Sequence, residues 1–133
     1  MTGPFDVRST PIRRIPSGVR VVLSGGLVSA AHGRIQGGIE ALLARGYLRF
    51  SVECAQLEAV ADESWDALRQ IGQRVAEQGG LMVLSGFSES LEAAGRAHAV
   101  DQPCPIVETS SVANQMLRAH ARGSSDLDDE HDA

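Results

Sequence analysis

Aromatic side chains make up only 4% of the 133 residues: one Trp, one Tyr and three Phe. Any core must therefore be assembled from Val, Leu, Ile and Ala. Lysine is absent. All 12 basic residues are Arg, spread along the chain rather than gathered in a block, so the footprint of a nucleic-acid-binding protein is missing. No run approaches the roughly 18 apolar residues of a membrane span, and direct membrane insertion is not expected. The stretch Met1–Arg8 contains Asp6 and no apolar run. No secretory signal is read there, which predicts a cytoplasmic location with Cys54 and Cys104 reduced. There is no Cys-x-x-Cys pair and the four His are scattered, so metal-ligand spacing is lacking. No nucleophile, base and orienting group can be assembled along the sequence. The reading is of a non-enzyme without cofactor or metal.

What is present is the composition of one ordinary globular domain, 43% hydrophobic and 22% charged. A chain of this length can bury a modest core without disulfides. The formal charge is −5. Asp126, Asp128, Asp129, Glu130 and Asp132 sit near the end with no Arg among them, so the remainder is neutral. Residues 1–122 are read as the domain and residues 123–133 as an acidic, disordered extension.

Periodicity divides the domain. Phe5–Ile15 reads as a weak strand between prolines, and Val19–Leu23 as a strong β-branched one. Ser24-Gly25-Gly26 reads as the turn that ends it. It is not a phosphate-binding loop, because no Lys-Ser/Thr follows. Ala30–Arg45 carries Ile35, Ile39, Leu42 and Leu43 at helical spacing, with Ser29 as N-cap and Gly46 as stop. Leu48–Cys54 alternates as a strand. Glu63–Gln78 is the best helix, with Trp65, Leu68, Ile71, Gly72 and Val75 as its buried stripe. Leu81–Leu84 is a short strand of the kind buried on both faces. Phe87–His98 is a helix with Ser88 near its start, Ile106-Val107 a short strand, and a last helix runs to about Arg122. Strands alternating with helices after an initial hairpin predict an α/β fold: a mixed, mainly parallel sheet of about five strands with four helices.

Four stretches resemble the STAS domain, the family of sulphate-transporter and anti-sigma-factor-antagonist domains. They are Val19–Leu27 (VRVVLSGGL), Leu48–Val60 (LRFSVECAQLEAV), Leu81–Leu91 (LMVLSGFSESL) and Ile106–Leu117. In regulatory STAS members the loop after the central strand reads Asp-Ser-Ser/Thr-Gly. The hydroxyl after that Asp is phosphorylated by a kinase that is also the anti-sigma factor. On this chain the resemblance places Ala61 at the Asp position, Asp62 at the phosphoacceptor, Glu63 at the next hydroxyl and Ser64 at the Gly, with Trp65 on the usual apolar residue. A carboxylate that no Ser/Thr kinase modifies thus stands where relatives carry a switchable hydroxyl.

Asp62 also has a plain explanation as the N-cap of the long helix, and Asp62, Glu63 and Asp66 all suit the positive end of its dipole. Ser64 reads as an exposed first-turn residue and the one nearby hydroxyl within reach of a kinase. Trp65 reads as core or as a binding anchor. The resemblance implies a bacterial protein–protein binding module in transcription regulation. Asp62, Glu63, Ser64, Trp65 and Ser88 form its expected partner-binding set. The expected partner is a kinase-like anti-sigma factor or, alternatively, a subunit of a lipid-transport ABC complex. A scaffold role in a larger assembly and homodimerisation stay open.

Overall fold

The computed structural model describes the backbone of residues 3–132 and the side chains of residues 3–123. The acidic extension expected over residues 123–133 falls, but for Gly123, outside the described side chains. Five strands form one sheet in the order β1 (Asp6–Pro11), β2 (Gly18–Leu27), β3 (Arg49–Val60), β4 (Leu81–Ser85) and β5 (Ile106–Val107). The β1–β2 pair is antiparallel and every later pair is parallel. The crossovers carry α1 (His32–Ala44), α2 (Asp62–Glu77) and α3 (Glu89–Ala97), and the chain closes with α4 (Ser110–Asp132). The mixed, mainly parallel α/β architecture read from the sequence is the one observed.

Side chains alternating along the strands divide the sheet into two unequal faces. On the first face Val19, Phe50 and Met82 form one buried row, and Val21, Val52, Leu84 and Ile106 form the next. Against these rows pack Ile35 and Ile39 from α1 and Trp65, Leu68, Ile71 and Val75 from α2. The second face is more polar. It presents Arg20, Arg49, Ser51 and Glu53, and its small apolar cluster joins Ile15 and Val83 to Ala113 and Leu117 of α4. Three helices therefore share one face, and α4 alone covers the other over β3, β4 and β5.

Two sequence expectations are corrected. The Ser24-Gly25-Gly26 turn is strand: β2 runs on to Leu27, and β3 runs past Cys54 to Val60, with Gly25 opposite Leu57 and Leu27 opposite Val60. Parallel pairing between the two extensions supplies backbone partners that outweigh the turn preference of the glycines. The glycines are used otherwise. Two register shifts bend the pair here, and Gly25 holds a φ of +80° with its α-carbon against the carbonyl of Pro4, which no side-chain-bearing residue would tolerate. Ser29, expected to cap α1, instead begins a 3-10 turn over Ser29–Ala31 and donates its hydroxyl elsewhere.

Candidate functional site

The lengthened β3 carries the chain to the mouth of α2. Ala61, with extended backbone, is the N-cap of α2, and no side chain caps this end. Asp62 is therefore the first helical residue, not the cap that the sequence suggested. Both Asp62 and Glu63 are exposed. Neither has an ion-pair partner among the described residues, whereas Asp66 one turn on pairs with Arg69. Two carboxylates without an ion-pair partner thus lie at the end of α2, where the amide dipoles favour negative charge.

Glu63 is positioned from a distance in sequence. Ser29 donates its hydroxyl to Glu63 Oε1 at 2.7 Å. That bond, the Glu63 backbone amide and nearby His32 hold this carboxyl below its usual range against a small desolvation penalty, so Glu63 is ionised at neutral pH. Ser64 turns the other way and is fully buried. Its hydroxyl donates to the Leu27 carbonyl at 3.0 Å and lies 2.7 Å from His32 Nε2. With the Ser64 proton committed to Leu27, the imidazole donates. The Ala61 amide donates to the same carbonyl at 2.9 Å. Leu27, Ser29 and His32 therefore clamp the start of α1 to the start of α2.

The expected roles of Ser64 and Trp65 as partner contacts are corrected by this burial. Ser64 is needed inside to satisfy the end of β2, and a phosphate on it would have no space or water. Trp65 is 1% exposed. Its ring meets Phe87 edge-on at 5.5 Å and stacks on His98 at 6.4 Å. A β-carbon on Gly95 of α3 would come within 3.2 Å of the indole, so the missing side chain lets α3 close over it. Phe87 in turn ties the β4–α3 turn to α2. The next residue, Ser88, is the exposed N-cap of α3, accepting from the Leu91 amide at 3.4 Å.

On the other flank, Val28 follows Leu27 and stands 48% exposed. It borders a surface hollow of about 440 Å³ lined by Pro4, Phe5, Val28, Ala30 and Arg34. Glu58 accepts from the Gly3 amide at 2.7 Å beside this hollow. A small apolar patch is thereby set between Glu58 and the Glu63–Asp62 pair.

Sequence reasoning found Asp62, Glu63 and Ser88 on the surface and missed Ser29, His32 and Val28. Ser29 and His32 act across more than thirty residues of sequence, and no local pattern announces such a contact. Ser64→Ala removes a buried hydroxyl with two partners. We expect it to cost about 1–3 kcal/mol, read as a lower urea midpoint with unchanged slope; a loss under about 0.5 kcal/mol would show that the clamp is idle.

Both thiols are buried. Burial pushes Cys104 up to about 12 and Cys54 higher still, so neither is a thiolate at neutral pH. No group of acidic, His and Cys side chains able to hold a metal occurs among the described residues, and none of their helices is long and apolar enough to cross a membrane.

A hairpin-led, mainly parallel sheet with three helices on one face and a fourth opposite is the STAS-type fold. Solved structures of that fold superpose along most of the chain. An anti-sigma factor antagonist from Mycobacterium paratuberculosis matches with a TM-score of 0.72 and 13% identity, over 89% of this chain and 99% of the other. The anti-sigma factor antagonist SpoIIAA in its unphosphorylated form matches with 0.66 and 12% identity, over 85% and 96%. The protein TM1081 matches with 0.70 and 18% identity, over 78% and 84%. No protein-family model and no curated protein sequence matches the chain.

Proposed function

We propose that this protein is a non-enzymatic binding module of a bacterial regulatory system, acting like an anti-sigma-factor antagonist with a kinase-like anti-sigma factor as partner. The observation that carries the reading is the pair of exposed, unpaired carboxylates, Asp62 and Glu63, at the dipole-positive end of α2 on a STAS-type fold. Ser88 is exposed at the start of α3, and the exposed Val28 sits one residue before Ser29, which holds Glu63. An apolar centre with a charged rim is the anatomy of a protein interface, and the acids select a partner surface rich in Arg or Lys. Because Asp62 replaces a hydroxyl, binding is constitutive with respect to a Ser/Thr kinase.

The test is calorimetric titration of the native chain and of Asp62→Ser against the kinase-like anti-sigma factors encoded in the same genome, with and without ATP. The expected result is ATP-insensitive binding of the native chain. Asp62→Ser should bind without ATP and, with ATP, take up a phosphate, read as a mass increase and about −1.5 to −2 added charges at that point. Binding by Asp62→Ser but not by the native chain would overturn constitutive binding and make Asp62 a permanent phosphate mimic. Binding by neither would remove the anti-sigma partner.

A further inference from the structure

The second face of the sheet carries a feature unrelated to the α2 surface. Arg49, the first residue of β3, is only 6% exposed, yet no carboxylate pairs with it among the described residues. Its guanidinium is held by neutral acceptors: Nη1 donates to the Pro16 carbonyl at 2.8 Å and Nε donates to Nδ1 of His120, on α4, at 3.0 Å. An imidazole nitrogen accepts only when it carries no proton. The contact between α4 and the central strand therefore requires neutral His120, with its proton on Nε2. Protonation would remove the acceptor and set an imidazolium beside a buried guanidinium.

We propose that the Arg49–His120 contact is a proton-sensitive latch: it seats α4 on the sheet when His120 is neutral and releases the helix segment around Leu117–Ala121 when His120 is protonated. No carboxylate among the described residues pairs with Arg49 or is placed to offset the added charge. On the same face of β3, Glu53 is taken by Arg20. The second-face residues of β4 (Leu81, Val83 and Ser85) and Val107 of β5 have no titratable side chain, and Glu108 beyond β5 is exposed near the opposite end of α4. Among the described side chains, the other charges close in sequence are cations: Arg118 and Arg122 on α4, and Arg13 and Arg14 in the exposed turn before Pro16.

The grip of α4 on this face is also slender. It rests on Ala113 and Leu117 against Ile15 and Val83, with Met116 at the edge. Two buried polar atoms in this region, Ser51 Oγ and Asn114 Oδ1, have no hydrogen-bond partner. Release would open part of the β3–β4 face to water.

The sign follows from the direction of the shift. Burial and Arg49 both hold His120 below its ordinary value. Above about pH 6.5, the ordinary imidazole value, seated and released helix both hold a neutral ring and the latch is closed. As pH falls through that value the released form takes up the proton first, and seating weakens about tenfold for each unit by which the two values differ.

The experiment is amide hydrogen exchange by NMR on the full chain between pH 7.5 and 5.0, corrected for intrinsic rates, with the His120 ring followed in the same samples. The expected result is a His120 midpoint below 6.5 and protection of Leu117–Ala121 falling roughly tenfold or more at pH 5.0, while the amides of α2 hold. His120→Gln keeps an acceptor and cannot titrate, so its α4 protection should not change with pH. In Arg49→Met the His120 midpoint should return toward the ordinary value. Unchanged protection of native α4 at pH 5.0, or an equal loss in His120→Gln, would overturn the latch.

Discussion

Trp65→Ala is expected to lower the stability of the domain by about 3–5 kcal/mol, the cost of deleting a fully enclosed aromatic side chain and leaving a cavity. The indole is among the largest fully buried side chains. It joins α2 to Phe87 and His98 on the α3 side, and the space over it is shaped by Gly95. Partial collapse cannot fill that space, because the neighbouring strand rows are themselves packed. For a domain of this size the loss is a large share of the total. Urea unfolding followed by far-UV circular dichroism measures it. A loss below about 1 kcal/mol, with binding abolished, would instead return Trp65 to the interface.

The opposite signature is expected for reversal of the two carboxylates. Asp62→Arg combined with Glu63→Arg should weaken partner binding by about a hundredfold, through repulsion from the basic surface that the acids select. The same change should cost the fold little, since both side chains are exposed; it removes the surface hydrogen bond from Ser29 to Glu63 and a favourable charge at the helix end. Affinity of the native chain should also fall as salt is raised from 50 to 500 mM, because screening acts on exposed charges. A salt-independent affinity, or a double variant that binds as tightly as the native chain, would show that these acids are not in the interface. Measured together, Trp65→Ala and the charge reversal separate what holds the site up from what the site presents.

Much of this architecture was legible in one dimension. Alternation marked β3, a short apolar run marked β4, and the 3.6-residue period marked α2, including all five members of its buried stripe. The order of strands and helices was enough for a parallel sheet with a leading hairpin, since short crossovers leave few other arrangements. The acidic first turn of α2 was readable because charge at a helix end is a local matter, decided within a few residues.

What local pattern could not decide was the facing of individual side chains and the reach of strands beyond their apolar runs. Ser64 looks like a surface hydroxyl until the Leu27 carbonyl, 37 residues away, is brought to it. Gly25 and Gly26 look like a turn until β3 supplies them with partners. His120 looks like any helix histidine until a buried arginine 71 residues earlier donates to it. The sequence by itself determined the helix and strand periods, the fold class and the sign of charge at the mouth of α2, because each depends on neighbours along the chain. The tertiary structure alone decided which of those residues are surface and which are clamp, because burial and hydrogen bonding between distant segments are properties of contacts that exist only once the chain has closed on itself.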